Sequence, residues 1–129
     1  MQIECILTNS LGLPEEYYSL GYTKKSQFDT TLTTQYSVYA VAVMEHCIMY
    51  LICDNFNVPN WYPAAGFKLI QKEIPSIWKF MYFNDDDYFS MIMGYPEIVE
   101  IREHYINLIE RDLEALEIFN QAKLEIDLS

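Results

Sequence analysis

Two histidines are the residues of this sequence best suited to proton transfer or metal binding, and each stands near a possible partner. His46 directly precedes Cys47, the pairing that a thiol nucleophile and its base would use. Neighbouring residues of a strand point to opposite faces, so we predict that these side chains diverge, with His46 at a hairpin tip and Cys47 in the core. Glu100 and His104 are four residues apart on a predicted helix, a spacing that can hold a metal ion. No second pair of this kind accompanies them, so we interpret them as an exposed pair without a metal.

Other chemical signatures are incomplete or missing in the sequence. The run Asp85-Asp86-Asp87 resembles the start of a calcium-binding loop, but the glycine and the distal glutamate of such a loop are missing. The four glycines cannot build a glycine-rich phosphate-binding loop, and no G-x-S-x-G nucleophile elbow occurs. The cysteines lack metal-site spacing and are interpreted as free thiols in a reducing cytoplasm. The sequence therefore predicts no cofactor, no metal site and no enzymatic activity.

The charge balance restricts the partners that the protein can have. Eight Lys and Arg residues against nineteen Asp and Glu residues give a formal net charge of -11. Phosphate backbones and anionic membranes repel such a surface, so we expect neither nucleic acid nor membrane as a partner. Acidity keeps a protein in solution, and it also steers a basic protein into contact. Because the start of the sequence lacks a basic region followed by a long apolar stretch, we expect a cytoplasmic protein.

The aromatic stretch NVPNWYPAAGF, residues 57–67, has two interpretations. Prolines and asparagines predict a loop here. In one interpretation Trp61 or Tyr62 is buried and closes one end of a small barrel, with Pro59 and Pro63 stiffening the chain. In the other, the same residue types line an exposed groove that binds proline-rich peptides. The first interpretation is favoured because packing is the commoner role of a tryptophan in a loop held by prolines.

The elements that must position these residues fall into one predicted domain, residues 1–129. Residues 1–35 contain a short possible first strand and are otherwise irregular. Residues 36–95 form a β-rich core, because apolar residues alternate with others or fill both faces of short runs. Residues 96–125 repeat apolar residues every three or four positions and are predicted to be helical, either as one kinked helix or as two consecutive helices.

Two hairpins are predicted within the core. Residues 36–44 and 47–53 flank the short polar break Glu45-His46, and both runs are apolar on both faces. Residues 77–83 and 88–95 flank an acidic turn, and residues 66–74 supply a connecting strand. The predicted fold class is therefore α+β: about five strands in a small bent antiparallel sheet or a barrel of the Src-homology-3 type, followed by helix.

In outline the chain resembles the small, acidic, cytoplasmic immunity proteins of bacterial toxin-immunity systems. The resemblance rests on size, acidity, the missing signal peptide, the missing catalytic motif and the many aromatic residues that could lie at a surface. It implies a tight complex with a cognate toxin domain, often a basic nuclease, whose active site is blocked. The alternatives are a peptide-binding adaptor that uses the aromatic-proline stretch, or a small enzyme of unidentified type.

A partner-binding surface is predicted from carboxylates that would attract a basic partner and aromatic residues that would supply apolar contact. The acidic turn between the two strands of the second hairpin is the predicted centre of this surface. The candidate residues are Asp54, Trp61, Tyr62, Asp85, Asp86, Asp87 and Tyr88.

Overall fold

Antiparallel strands precede a series of helices in this chain, whose computed structural model describes residues 1–83 and 89–128. The strands are β1 (Gln2–Cys5), β2 (Gln35–Ser37), β3 (Ala40–Met44), β4 (Cys47–Cys53), β5 (Pro59–Pro63), β6 (Phe67–Gln71), β7 (Lys79–Tyr82) and β8 (Phe89–Gly94). The α-helices are α1 (Pro96–Glu100), α2 (Arg102–Ile109) and α3 (Leu113–Leu128). Short 3-10 helices occur at Ser10–Gly12, Glu15–Leu20 and Ala64–Gly66.

The strands form two antiparallel sheets. One has three strands in the order β2-β1-β6, and the other has five strands in the order β5-β4-β3-β8-β7. The predicted α+β class is confirmed, and the open sheet is the correct alternative, since the strands described do not close into a barrel. The predicted strand over residues 36–44 is wrong in one respect, because it is divided between the sheets. Tyr36 pairs with Ile3 in the small sheet, whereas Ala40 pairs with Leu51 in the large one.

The two predicted hairpin pairings are present in the large sheet. In the first, β3 and β4 pair from Ala40 opposite Leu51 to Met44 opposite Cys47. Glu45 and His46 form its tip with φ angles of 45° and 70°, the left-handed conformation that two-residue hairpin turns require. In the second hairpin β7 pairs with β8, while the turn predicted between them falls within residues 84–88, which lie outside the described part of the chain.

Different elements cover the two faces of the large sheet. The helices lie on one face, where α1 packs against β7 and β8, and α2 contacts β5. Phe119 of α3 is fully buried, with its ring centroid 5.4 Å from that of Tyr39 and 6.0 Å from that of Tyr95. The small sheet covers part of the opposite face, where Phe67 packs against Tyr50 and Tyr62. Residues 40–42 of strand β3 are therefore buried on both faces, as the apolar sequence predicts.

The helical region is divided more often than the predicted one or two helices. Pro96 occupies the first turn of α1, and Ile101 separates α1 from α2 with φ of -112° and ψ of 101°. Arg111, with φ of 63°, then separates α2 from α3. The Asp112 carboxylate accepts a hydrogen bond from the backbone amide of Ala115 at 3.2 Å, so this residue caps α3.

Candidate protein-binding surface

Apolar side chains line one half of the large sheet on the face opposite the helices. Directly paired residues of antiparallel strands place their side chains on the same face of a sheet, so the register defines this surface. Tyr82 pairs with Met91, which pairs with Val43, and Phe80 pairs with Met93. We call this surface the open sheet face, and its members are Val43, Ile48, Phe80, Tyr82, Met91 and Met93.

The open sheet face is uncovered within the described part of the chain. Phe80 is 63% exposed, Tyr82 is 62% exposed and Ile48 is 48% exposed, whereas the two methionines and Val43 are half-buried. The small sheet covers only the β4–β5 half of the same face. Contiguous exposed apolar patches mark interaction sites on folded proteins, whereas scattered exposed apolar residues need no explanation. The open sheet face therefore has the character of an interaction surface.

Carboxylates flank one end of the open sheet face. The hydroxyl of Tyr17 donates a hydrogen bond to the Ile48 carbonyl oxygen at 3.0 Å and thereby holds the 3-10 helix Glu15–Leu20 against this end. Glu15, Glu16 and Glu45 line a surface cleft of about 350 Å³ there, together with Ser19 and His46. The apolar face is therefore bordered by groups that attract a basic partner.

His46 and Cys47 occupy the positions predicted for them, the exposed hairpin tip and the core. Burial raises the pKa of the Cys47 thiol, and the nearby carboxylates of Glu16 and Glu45 raise it further. Since the thiolate is the reactive form of cysteine, this residue is a poor nucleophile.

Asp54 and Tyr62, two of the predicted binding residues, lie in the interior. Asp54 is 6% exposed. It accepts hydrogen bonds from the Phe56 amide at 2.9 Å, from the Asn60 side chain at 2.8 Å and from the Tyr62 hydroxyl at 2.8 Å. Burial, followed by this bond to Asp54, raises the pKa of Tyr62. These contacts stabilise the turn between β4 and β5, and both residues are buried.

Trp61 lies in strand β5 and not in a loop, which corrects the predicted position of the aromatic-proline stretch. It pairs with Leu51, so its side chain is on the helix-covered face, opposite the open sheet face. The half-buried indole packs against the rings of Phe89 and Tyr105, with centroid distances of 6.1 and 6.0 Å. This packing matches the interpretation of Trp61 as a buried plug more closely than an exposed groove.

The remaining predicted binding residues, Asp85, Asp86, Asp87 and Tyr88, lie outside the described residues. The strands that flank them end at Tyr82 and begin at Phe89. The predicted acidic centre of the surface stays a prediction.

His104 is buried and hydrogen-bonded, which corrects its interpretation as an exposed partner of Glu100. It is 3% exposed, and its Nε2 atom is 2.7 Å from the hydroxyl oxygen of the fully buried Tyr95. Burial lowers the pKa of His104, against the smaller opposing effect of Glu97. Within residues 1–83 and 89–128, no group of three or more histidine, cysteine or carboxylate side chains is placed to hold a metal ion. The Tyr95–His104 pair is therefore a polar contact inside the core.

The lowered pKa of His104 predicts a pH dependence of stability. Below about pH 6.5 the histidine of the unfolded chain takes up a proton that the folded protein resists. We therefore expect the contribution of His104 to the free energy of unfolding to be complete above about pH 6.5. It should decrease as the pH falls from about 6.5 to the lower pKa that His104 has in the folded protein. In urea titrations at about pH 5.5 and 7.5, His104→Gln should show a smaller difference between the two pH values than the parent protein. An equal difference in both proteins would contradict the assignment.

Two larger cavities lie away from the open sheet face. An apolar pocket of about 550 Å³ lies between α1, α2 and the β7–β8 pair, with Glu100 and Arg102 among its lining residues. A polar cleft of about 730 Å³ lies near the C-terminal end of α3. There the Asp127 carboxylate accepts hydrogen bonds from the Tyr39 hydroxyl at 2.8 Å and from Lys123 at 2.7 Å.

Comparison of the chain with protein-family models, with curated proteins and with solved structures gave no match. Within residues 1–83 and 89–128, none of the helices has both the length and the apolar composition needed to cross a membrane.

Proposed function

We propose that this chain is a non-enzymatic cytoplasmic binding protein that neutralises a basic protein partner, as an immunity protein neutralises its toxin. The observation that carries the proposal is the open sheet face. Its exposed rings, Phe80 and Tyr82, stand side by side on a single strand above half-buried methionines. Large apolar anchors surrounded by a polar rim are the residues that carry most of the energy of protein–protein binding.

Charge supports a basic partner. The net charge of -11 and the carboxylates of Glu15, Glu16 and Glu45 beside Ile48 favour association with a cationic protein surface. A nuclease toxin, whose cleft must attract phosphate groups, has such a surface. The apolar contact supplies affinity in this arrangement, and the carboxylates supply orientation and association rate.

The chemistry of the described residues supports binding over catalysis. His104 is enclosed with Tyr95, and burial raises the pKa of the Cys47 thiol. The aromatic-proline stretch gives less support to a peptide-binding adaptor, because Tyr62 is bound to Asp54 in the interior and Trp61 packs beneath α2.

The proposal is tested with the products of the reading frames adjacent to this gene. We expect one of them to arrest growth when expressed alone, and co-expression of this chain to restore growth. The double variant Phe80→Ser/Tyr82→Ser should weaken the purified complex at least about tenfold, since central aromatic anchors are binding hot spots. Phe56→Ser is the matched control, because Phe56 is 71% exposed but lies outside the open sheet face. The measurements are growth rescue and isothermal titration calorimetry.

A charge variant separates the role of the carboxylates from that of the exposed aromatic rings. Replacing Glu15, Glu16 and Glu45 together by glutamine should slow association, and the difference from the parent should shrink at high salt. Failure of every adjacent product to bind this chain, or full affinity of the folded Phe80→Ser/Tyr82→Ser variant, would overturn the proposal.

A further inference from the structure

The outer edge of strand β7 exposes backbone hydrogen-bonding groups. β7 is the last strand of the large sheet, with β8 on one side and no other strand of the described chain on the other. The Phe83 amide donates a hydrogen bond to the Ser90 carbonyl oxygen at 3.0 Å. Because successive residues of an antiparallel strand direct their amide and carbonyl groups to alternate sides, Met81 directs its groups toward β8. Phe80 and Tyr82 therefore direct theirs outward.

The opposite edge of the same sheet is closed. Strand β5 begins and ends with prolines, which have no amide hydrogen to offer. The Arg111 guanidinium donates hydrogen bonds to the Pro59 carbonyl oxygen and to the Asn60 side-chain oxygen. Proteins block edge strands in such ways to prevent unwanted pairing. β7 has no proline, and all four of its residues are exposed.

The same two residues, Phe80 and Tyr82, thus present both an outward backbone edge and the most exposed rings of the open sheet face. A strand added to β7 would satisfy the outward amide and carbonyl groups, and its alternate side chains would extend this face beside Phe80 and Tyr82. We propose that the basic partner contributes an extended segment that pairs with β7 as a sixth strand of the large sheet, with alternating apolar and basic residues. This inference rests on the proposed function and specifies its binding mode.

Charge favours a partner segment over a second copy of this chain. Pairing two copies through β7 would bring together two molecules that each carry a net charge of -11. A segment rich in lysine or arginine would instead be attracted by the same net charge.

The first experiment uses a synthetic peptide, acetyl-Lys-Val-Lys-Val-Lys-Val-Lys-amide, as the probe. In ¹⁵N-labelled protein we expect the peptide, at about 1 mM, to shift the amide resonances of Phe80 and Tyr82 and to slow their hydrogen exchange. The same peptide with N-methyl groups on its three central amides should have no effect, because it cannot complete the backbone pairing. Absence of any shift with the unmethylated peptide, equal shifts with both peptides, or concentration-dependent dimerisation through β7 would overturn strand addition.

The second experiment distinguishes strand addition from binding by side chains alone. Phe80→Ala removes the ring and keeps the outward amide. Phe80→Pro removes the ring and the amide hydrogen, and it breaks no hydrogen bond to β8 because the Phe80 amide is directed outward. Against the partner identified by growth rescue, we expect the proline variant to bind at least about fivefold more weakly than the alanine variant, with both folded by circular dichroism. Equal binding of the two variants, both weaker than the parent, would refute strand addition and leave the proposed function standing. Parental affinity in both Phe80 variants would refute strand addition and the proposed function together.

Discussion

Replacing Phe119 by alanine is expected to destabilise the protein by about 3 to 5 kcal/mol, the cost of truncating a fully buried aromatic side chain. The ring is 0% exposed and packs edge-on against the rings of Tyr39 and Tyr95. Tyr39 directly precedes β3, and Tyr95 directly precedes α1. Removal of the Phe119 ring leaves a cavity where α3 meets the large sheet. Urea unfolding followed by circular dichroism measures the loss.

Leu124→Ala is the matched control for this experiment. Leu124 is on the same helix and is 57% exposed, so its truncation should change the free energy of unfolding by less than about 0.5 kcal/mol. Equal effects of the two substitutions would show that α3 does not dock through Phe119.

Gly94→Ala is the second substitution with a large expected effect. A Cβ atom at this position would lie 2.6 Å from the Ala40 Cβ, 3.0 Å from the Ala40 Cα and 3.0 Å from the Ile98 Cγ2. Two of these atoms belong to the paired strand β3 and cannot rotate away, so strand and helix must separate. We expect a loss near the upper end of about 1 to 3 kcal/mol.

Removing the side chain of Ala40, which faces Gly94, should restore part of the lost stability. Ala40→Gly removes the nearest atom, and the cost of Gly94→Ala measured in that background should be smaller by at least about 0.5 kcal/mol. Additive effects of the two substitutions in urea unfolding would contradict a direct clash between these positions.

Local pattern was sufficient to predict the hairpins of the large sheet. The run from Cys47 to Cys53 is apolar, and the break at Glu45-His46 has the length of a tight turn. Pattern alone could not show that residues 36–44 change sheets, because the apolar sequence continues through Val38 and Tyr39 while the pairing partner changes. Pairing between Tyr36 and Ile3 is a long-range choice that periodicity does not encode.

The candidate site was harder to predict, because burial depends on tertiary packing. The sequence predicts a surface charge for an aspartate that follows a strand, yet Asp54 accepts hydrogen bonds from one donor in its own turn and from two in β5, and it is buried. The alternation of strand β7 does place Phe80 and Tyr82 on one face in the sequence. This face stays uncovered because the small sheet packs on the other half of the large sheet, and no local sequence pattern specifies that position.

The position of β1 in the small sheet determines when that sheet can form during synthesis. β1 is made first, yet it is the middle strand, between β2 and β6. In its pairing with β6, Cys5 lies opposite Phe67. The sheet therefore cannot be completed until the ribosome has released the chain beyond Gln71. Closing such long loops is slow because the entropy is lost before the contacts form. Until then β1 can pair only with β2, so the nascent chain exposes the other edge of β1, an open strand edge of the kind that favours aggregation.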